Sequence, residues 1–191
     1  MQEAPLMLKN KTARRIKDIP GFVFPGGVRV IINFTVDFDA MIFRKFLREP
    51  KLWCAQGEFG GRTGLWRLLD VFGEFDVRTT LFLPGQTGLL YPEVLRRAVR
   101  EGHEIANHMW DHHIPLTLEE EAVHIDRTDT LIKGLTGQYP AGTRSEHDLA
   151  ALRDHAYTYV SYTPQGEFPF YVYYENIGKW MLNLPISFIH D

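Results

Sequence analysis

The sequence predicts an α/β protein built on a mainly parallel sheet, curled into a (β/α) barrel in preference to a doubly wound sheet. Strand-like and helix-like segments alternate along the 191 residues, an order typical of repeated βα units. Polar residues that suit a catalytic site follow the carboxyl ends of different strand-like segments, where parallel α/β folds collect such groups. This convergence favours the barrel and points to an enzyme.

Six segments have the composition of strands, with β-branched or aromatic residues bounded by turn residues. They cover residues 28–34, 79–83, 103–106, 141–143, 157–161 and 180–188. The first is the most strand-like in the chain. A complete (β/α)₈ barrel usually takes about 250 residues, so six strands predict a barrel that is incomplete at its C-terminal end.

Four segments have helical patterns, at residues 62–72, 92–101, 117–135 and 147–155. Apolar residues recur at helical spacing in the first. The second opens with a proline and is followed by Gly102, a common helix terminator. The third begins with Thr117-Leu118-Glu119-Glu120, a capping-box sequence.

The remaining segments lack regular patterns. Residues 1–27 contain Pro20, Gly21, Pro25 and Gly26 and are expected to be an irregular lead-in. No linker divides residues 28–191, which are expected to form one domain. Residues 50–61 are expected to be a loop, which either lines a substrate cleft or is a glycine-rich surface turn.

Composition excludes several classes of function. The net charge is −3 and basic residues are scattered, so neither nucleic acid nor an anionic membrane is an expected partner. A single cysteine, Cys54, excludes an internal disulfide and a multi-cysteine zinc site. No run has the length of a signal peptide or a transmembrane span, so a cytoplasmic location is expected.

His108 and His112 are four residues apart, which on a helix places both imidazoles on one face, where they can bind one divalent ion. The spacing alone favours a structural interpretation, because it arises by chance in many chains. A third ligand is available from Asp37 and Asp39. On an extended segment these two carboxylates point to the same side, so one can be a metal ligand and the other a base. The alternative is that they cap a turn.

These motifs resemble the polysaccharide deacetylases of carbohydrate esterase family 4, in the branch of peptidoglycan deacetylase-like proteins, cyclic imide hydrolases and metal-independent allantoinases. The segment Val36-Asp37-Phe38-Asp39-Ala40 is similar to the family's first motif, and residues 102–112 to its second. The resemblance implies that Asp37 is the catalytic base and that Asp39, His108 and His112 bind the metal. Gly142-Thr143-Arg144-Ser145 is similar to the third motif, which makes Arg144 the residue that orients the base.

The chain departs from the family pattern at three places. Glu146 replaces an expected proline, and Val160 replaces an aspartate that members of this branch often carry. The sequence also ends before the further barrel units and the late histidine that protonates the leaving group in the family. A partner copy that closes the open barrel edge is one expected consequence, because exposed strand edges and apolar surface favour association.

The resemblance implies a metal-dependent hydrolase of non-peptide C–N bonds. It would deacetylate N-acetylated sugar polymers or open a small cyclic amide or imide. Zinc is the expected ion, although two histidines and one aspartate also accept Co²⁺, Ni²⁺, Mn²⁺ or Fe²⁺. The alternative function is a truncated, catalytically impaired relative that acts as a binding or assembly module.

Three residues are candidates for substrate binding. Glu58 and Phe59 lie in the expected loop at residues 50–61, and Trp110 lies between the two histidines. Phe59 and Trp110 would form an apolar wall for a sugar or imide ring. The alternative is that these two aromatic residues belong to the hydrophobic core.

Overall fold

A mostly parallel sheet forms the centre of the computed structural model, which describes residues 13–15, 26–28, 31–113, 115–145, 152, 155–161, 169–174 and 178–186. Its described strands are β1 (Ala13–Arg15), β2 (Thr35–Asp37), β3 (Thr80–Leu83), β4 (Glu104–Asn107), β5 (Gly142–Thr143), β6 (Tyr159–Val160), β7 (Phe170–Tyr174) and β8 (Lys179–Asn183). They lie in the order β1-β7-β8-β6-β5-β4-β3-β2. β1 and β2 are the outer strands of the described sheet, so it is open.

The direction of the strands agrees with the predicted fold class. Neighbours from β2 to β6 are parallel, and β6 is parallel to β8. β7 is antiparallel to both β8 and β1. Strands β2 to β6 therefore follow one another across the sheet in chain order, as in a (β/α) barrel.

Helices alternate with the strands along the chain from β2 to β5. They are α1 (Ile42–Phe46), α2 (Lys51–Phe59), α3 (Leu65–Glu74), α4 (Gly85–Leu90), α5 (Pro92–Arg100) and α6 (Leu118–Thr136), and a π-helical segment, Gly60–Gly64, joins α2 to α3. Within the described ranges, no helix combines the length and apolar composition needed to cross a membrane.

The main hydrophobic core lies between β3, β4 and helices α3, α5 and α6. All four residues of β3 are buried, as expected for a parallel strand covered on both faces. Leu69, Leu81, Leu95 and Ile132 are completely buried in this core, and each stabilises the fold by roughly 1.5–3 kcal/mol. The core therefore fixes the strands whose carboxyl ends carry the candidate site.

The predicted position of the first strand is wrong. Residues 31–34 do not form a strand, and β2 begins at Thr35, which pairs with Thr80, the first residue of β3. Ile31 and Ile32 are 67% and 72% exposed. β-Branched residues favour extended backbone, but they form a strand only where a neighbouring strand and burial support them.

The prediction of a loop at residues 50–61 is also wrong, because α2 and the start of the π-helical segment occupy these residues. Their glycines allow close packing instead of marking a turn. A Cβ atom on Gly57 would lie 2.7 Å from the Met41 Cα, and one on Gly61 would lie 2.4 Å from the Tyr91 ring. Glycine content alone does not distinguish these two uses.

The chain termini differ from prediction in three respects. Strand β7 was not predicted, although Phe170–Tyr174 is rich in aromatic residues. Strand β8 ends at Asn183, earlier than the predicted end at residue 188. Ala13–Arg15, inside the predicted lead-in, pair with β7.

Two predictions are not tested. Most of the predicted helix at residues 147–155 lies outside the described residues, and the domain boundary at residue 27 stays a prediction.

Local signals located α5 and α6 correctly. Pro92 is at the start of α5, and Gly102 follows the helix with a φ of 83°. At α6, the backbone N–H of Glu120 donates to the Thr117 hydroxyl at 3.1 Å. Gly137 ends α6 in the left-handed conformation, with a φ of 82°.

Two glycines of α6 offer a matched pair of substitutions. A Cβ atom at either Gly134 or Gly137 would meet nothing within 4 Å, so only backbone conformation separates them. We expect Gly134→Ala, inside the helix, to raise the free energy of unfolding by about 0.5–1 kcal/mol. Gly137→Ala should lower it by about 1–2 kcal/mol, because alanine is strained at positive φ. Urea denaturation of both variants measures the difference, and equal effects would contradict the assignment of the helix end.

Candidate metal centre

Two carboxylates enter the site from the end of β2. Asp37 is the last residue of the strand, and Asp39 follows two residues later. Between them, Phe38 is buried in the core and its backbone N–H donates to the Phe82 carbonyl at 2.9 Å. Burial of Phe38 on the opposite side turns both carboxylates toward one cleft, as the alternation in the sequence predicts.

The two histidines come from a turn after β4, and the prediction that they share a helical face is wrong. Residues 108–113 form an irregular turn, in which Met109 and His112 have φ values of 63° and 56°. Left-handed residues are incompatible with a right-handed helix. The turn nevertheless brings the two imidazole rings to 4.8 Å between centroids.

Asp39, His108 and His112 form a three-residue cluster that can hold a metal ion. The Asp39 Oδ1 atom lies 2.9 Å from the His112 Nε2 atom and 3.6 Å from the His108 Nε2 atom. Their candidate ligand atoms all lie within 4.8 Å of one another. One carboxylate oxygen and two imidazole nitrogens are a ligand set that zinc and related divalent ions accept.

The hydrogen bonds around this cluster also fit a metal. His108 donates its Nδ1–H group to the Arg144 carbonyl oxygen, which leaves the lone pair of Nε2 directed to the cluster. Burial lowers the pKa of His108, although the carboxylates of Asp39 and Asp37 oppose this shift. Asp39 Oδ1 and His112 Nε2 are buried and, although they lie 2.9 Å apart, neither makes a hydrogen bond of normal geometry with a described residue. A bound cation would satisfy both atoms.

Arg144 holds Asp37 beside the cluster. Its Nη1 donates to Asp37 Oδ1 at 2.6 Å and its Nη2 to the Thr35 hydroxyl at 3.0 Å. The Ser161 carbonyl accepts from Nε at 3.1 Å, and the guanidinium lies 3.9 Å from the centre of the Phe82 ring. Contacts on several sides leave the guanidinium little freedom, so Asp37 is held in one orientation.

Thr35, Phe82 and Ser161 were not identified from the sequence. Thr35 and Phe82 lie on β2 and β3, and Ser161 directly follows β6, so they are far apart along the chain. Alternation places Thr35 on the same face of β2 as Asp37, and this was the one signal available. Contacts to Phe82 and Ser161 depend on sheet order, which the sequence does not give.

A cleft of about 390 Å³ adjoins the carboxylates. Both carboxylates and several residues of α1 and α2 line it: Asp37, Asp39, Ala40, Phe43, Arg44, Glu49, Gln56, Gly57 and Gly60. The segment at residues 50–61 was expected either to line a substrate cleft or to form a surface turn, and its residues Gln56, Gly57 and Gly60 line this cleft.

Glu58 and Phe59 belong to α2 but are not among the residues lining this cleft. The Glu58 carboxylate accepts a hydrogen bond from Arg62. Phe59 is 56% exposed, and the Arg67 guanidinium lies 5.9 Å from its ring centre. Their role in substrate binding stays a prediction.

Trp110 is placed away from the carboxylates. The Arg127 guanidinium lies 3.8 Å from its ring centre, and a Cβ atom on Gly85 would lie 2.2 Å from its ring. Trp110 borders a different cavity, of about 380 Å³, with Leu89, Asp126 and Leu131. Its proposed contact with substrate also stays a prediction.

Comparison with known proteins gives one consistent family. A family model described as polysaccharide deacetylase matches residues 56–160, more than half of the chain. The peptidoglycan deacetylase of Helicobacter pylori is 34% identical over 91 residues, which cover 46% of this chain and 31% of that protein. A peptidoglycan deacetylase-like protein of Gibberella zeae is 31% identical over 137 residues, which cover 65% of this chain and 40% of that protein. The chain thus spans less than half the length of these two relatives.

Solved structures share the fold. A candidate polysaccharide deacetylase from Mycobacterium smegmatis has a TM-score of 0.72 and 26% identity, with 82% of this chain and 58% of that chain covered. An allantoinase has a TM-score of 0.75 and 21% identity, with 86% of this chain and 64% of that chain covered. At this identity the likeness concerns the fold alone. These similarities confirm the deformed parallel (β/α) barrel, which is open in the part of the chain described.

The packing of Gly57 predicts a remote effect on the metal centre. A Cβ atom there would lie 2.7 Å from Met41 Cα and 2.8 Å from the Ala40 carbonyl oxygen, so Gly57→Ala should push the backbone that follows Asp39. We expect zinc affinity to fall by about 10-fold, as when groups supporting a ligand are disturbed. A competitive titration with a chromophoric chelator measures this change.

Gly60→Ala is the matched control, because Gly60 borders the same cleft but its Cβ atom would meet only Ala40 Cα, at 3.6 Å. This variant should bind zinc as the unchanged protein does. If both substitutions left zinc affinity equal, the packing of α2 would have no effect on the position of Asp39.

Proposed function

Because the chain belongs to the polysaccharide deacetylase family, we propose that it is a metal-dependent hydrolase that removes acetyl groups from N-acetylated sugars. The observation that carries this proposal is the arrangement of Asp37, held by Arg144 at 2.6 Å, next to Asp39 and the two clustered histidines. A positioned base beside a candidate ion site is what hydrolysis of an unreactive amide requires.

We assign the metal to Asp39, His108 and His112. A divalent ion bound there would supply Lewis acidity toward the amide carbonyl and would lower the pKa of water. Zinc is the proposed ion, since two imidazoles and one carboxylate suit it. Co²⁺, Ni²⁺, Mn²⁺ and Fe²⁺ are the alternatives that metal analysis would distinguish.

Asp37 acts as the base in the proposed reaction. Its carboxylate accepts a proton from the attacking water as the new C–O bond forms at the acetamido carbon. Arg144 keeps the carboxylate oriented through Nη1. When the C–N bond breaks, the sugar nitrogen needs a proton, and we propose that Asp37 returns the one it accepted. Acetate and a free amine are the products.

The substrate proposal rests on the relatives. The Helicobacter pylori relative is a peptidoglycan deacetylase, and the cleft beside Asp37 lies next to the outer strand of the described sheet, which suits access by a polymer. A cyclic amide or imide, expected from the sequence motifs, is the second candidate.

Two earlier expectations stay predictions. The exposed residues before β2, including Ile31 and Ile32, suit a second copy of the chain that covers the β2 edge of the sheet. Light scattering of the purified protein tests whether it forms a dimer.

Cell fractionation tests the expected cytoplasmic location.

Removal of one ligand should remove the metal. We expect purified protein to retain about one zinc ion per chain after dialysis and His112→Ala to retain almost none, because the remaining two ligands bind weakly. Elemental analysis by mass spectrometry measures the ratio. His113→Ala is the matched control, since His113 is half exposed and lies near Glu120; equal zinc loss in both variants would argue against this ligand set.

Removal of the base should stop turnover without releasing metal. We expect Asp37→Asn to lower kcat for acetate release from chitin oligomers or peptidoglycan fragments by about 10²–10⁴-fold, with zinc content unchanged. Asp76→Asn, at a carboxylate that is 90% exposed, serves as the control. A zinc-loaded protein that hydrolyses neither these substrates nor cyclic imides would instead be the impaired relative.

A further inference from the structure

The turn that carries the two histidines is held from the side of α6. Met109, one of its two left-handed residues, donates its backbone N–H to Asn107 Oδ1 at 2.7 Å. Its carbonyl accepts from the Thr128 hydroxyl on α6 at 2.9 Å and from the Gly85 N–H at 2.9 Å. Both polar groups of the Met109 backbone are thus satisfied by partners outside the turn, which offsets the cost of about 1–2 kcal/mol of a left-handed residue.

Asn107 can support Met109 in only one of its two amide orientations. Its side chain is completely buried, and its Nδ2 group donates to Asp129 Oδ1 at 2.7 Å and to the Ile125 carbonyl at 3.4 Å. A carboxylate can only accept hydrogen bonds, so it requires the NH₂ end of the amide to face α6. The oxygen end then faces Met109. Asp129, which accepts the shorter of these two hydrogen bonds, is therefore the main group that sets the amide orientation holding the turn.

Asp129 is itself fixed by two further donors. It is 3% exposed, and its Oδ1 accepts from the Tyr157 hydroxyl at 2.6 Å, while Oδ2 lies 2.8 Å from His155 Nδ1. Burial and the Asp129 carboxylate raise the pKa of Tyr157, which keeps its hydroxyl a donor. A buried carboxylate with this many donors is held rigidly.

We propose that Asp129 is a positioning residue of the metal centre, which acts through Asn107 on the turn that aligns His108 and His112. Asp129 contacts none of the three ligands in the described hydrogen bonds and ion pairs. In many metal sites a neighbouring side chain orients a histidine ligand by a hydrogen bond to its imidazole. Asp129 would instead act on the backbone of the turn that carries the two histidines. This inference rests on the proposed metal site. It adds Asp129, on α6, to the three ligands as a residue that the site needs for tight binding of the ion.

The test compares three substitutions by their zinc affinity and by the visible spectrum of the Co²⁺-loaded protein, which reports ligand geometry. Asp129→Ala removes the shorter hydrogen bond of the Asn107 NH₂ group and leaves only its 3.4 Å bond to the Ile125 carbonyl, so zinc affinity should fall about 10–100-fold with a changed Co²⁺ spectrum. Asp129→Asn keeps an acceptor oxygen for Asn107 and Tyr157, so affinity should stay within about 3-fold. Tyr157→Phe removes a donor to the same carboxylate but not its bond with Asn107, and should leave both readouts unchanged.

A purely structural role for Asp129 predicts a different result. Zinc affinity would then follow the free energy of unfolding, so that Tyr157→Phe and Asp129→Ala would both weaken it in proportion to lost stability; this outcome would overturn the proposal. If Asp129→Ala does not fold, Thr128→Val removes the other α6 contact with Met109 and should weaken zinc binding by about 3–10-fold. Unchanged affinity in that variant would also overturn it.

Amide hydrogen exchange separates this inference from the proposed function. The Met109 N–H should exchange at least about 5-fold faster in Asp129→Ala than in Asp129→Asn, because only the former releases Asn107 Oδ1. If the unchanged protein bound no metal, the metal-dependent function would fail, and the exchange rates alone would decide whether Asp129 sets the turn. Equal rates would refute the inference even in a protein that binds zinc.

Discussion

The hydrogen bonds of Arg144 connect the parts of the site that the chain supplies separately. Its side chain binds Asp37 on β2, its carbonyl oxygen accepts from His108, and its backbone N–H donates to the Asn107 carbonyl at the end of β4. A buried guanidinium is stable only when its N–H groups have partners. The guanidinium thus connects Asp37 to the end of β5, the backbone of the same residue connects His108 and Asn107 to it, and strands β2, β4 and β5 meet around Arg144.

The parts of the fold that the sequence predicts well are those with local causes. The capping hydroxyl of Thr117, the proline at the start of α5 and the glycine at position 102 act within a few residues of their own position. The start of β2 and the existence of α2 depend on partners elsewhere, such as Thr80 opposite Thr35 and Met41 against Gly57. Such partners are not visible in a single sequence.

The same distinction applies to the site. Spacing left open which of Asp37 and Asp39 joins the histidines, and the family resemblance named Asp39. The structure brings Asp39, His108 and His112 together, but for the histidines the expected geometry was wrong. Helical spacing and a left-handed turn both bring residues i and i+4 together, and only the second needs external support for Met109. Apart from Asn107, the groups that give this support are Gly85 and Thr128, which lie on other elements far along the chain, so no local pattern reveals them.

The position of β2 has a thermodynamic consequence. As the outer strand of the described sheet it is paired along one edge only, with β3, and strands of this kind open locally at a lower free energy than the core. Asp37 and Asp39 would leave with it, whereas His108 and His112 follow a strand paired on both sides. The apparent affinity for an ion at this site is thus the intrinsic affinity multiplied by the fraction of molecules with β2 docked. An ion bound there would in turn stabilise the docked strand by mass action.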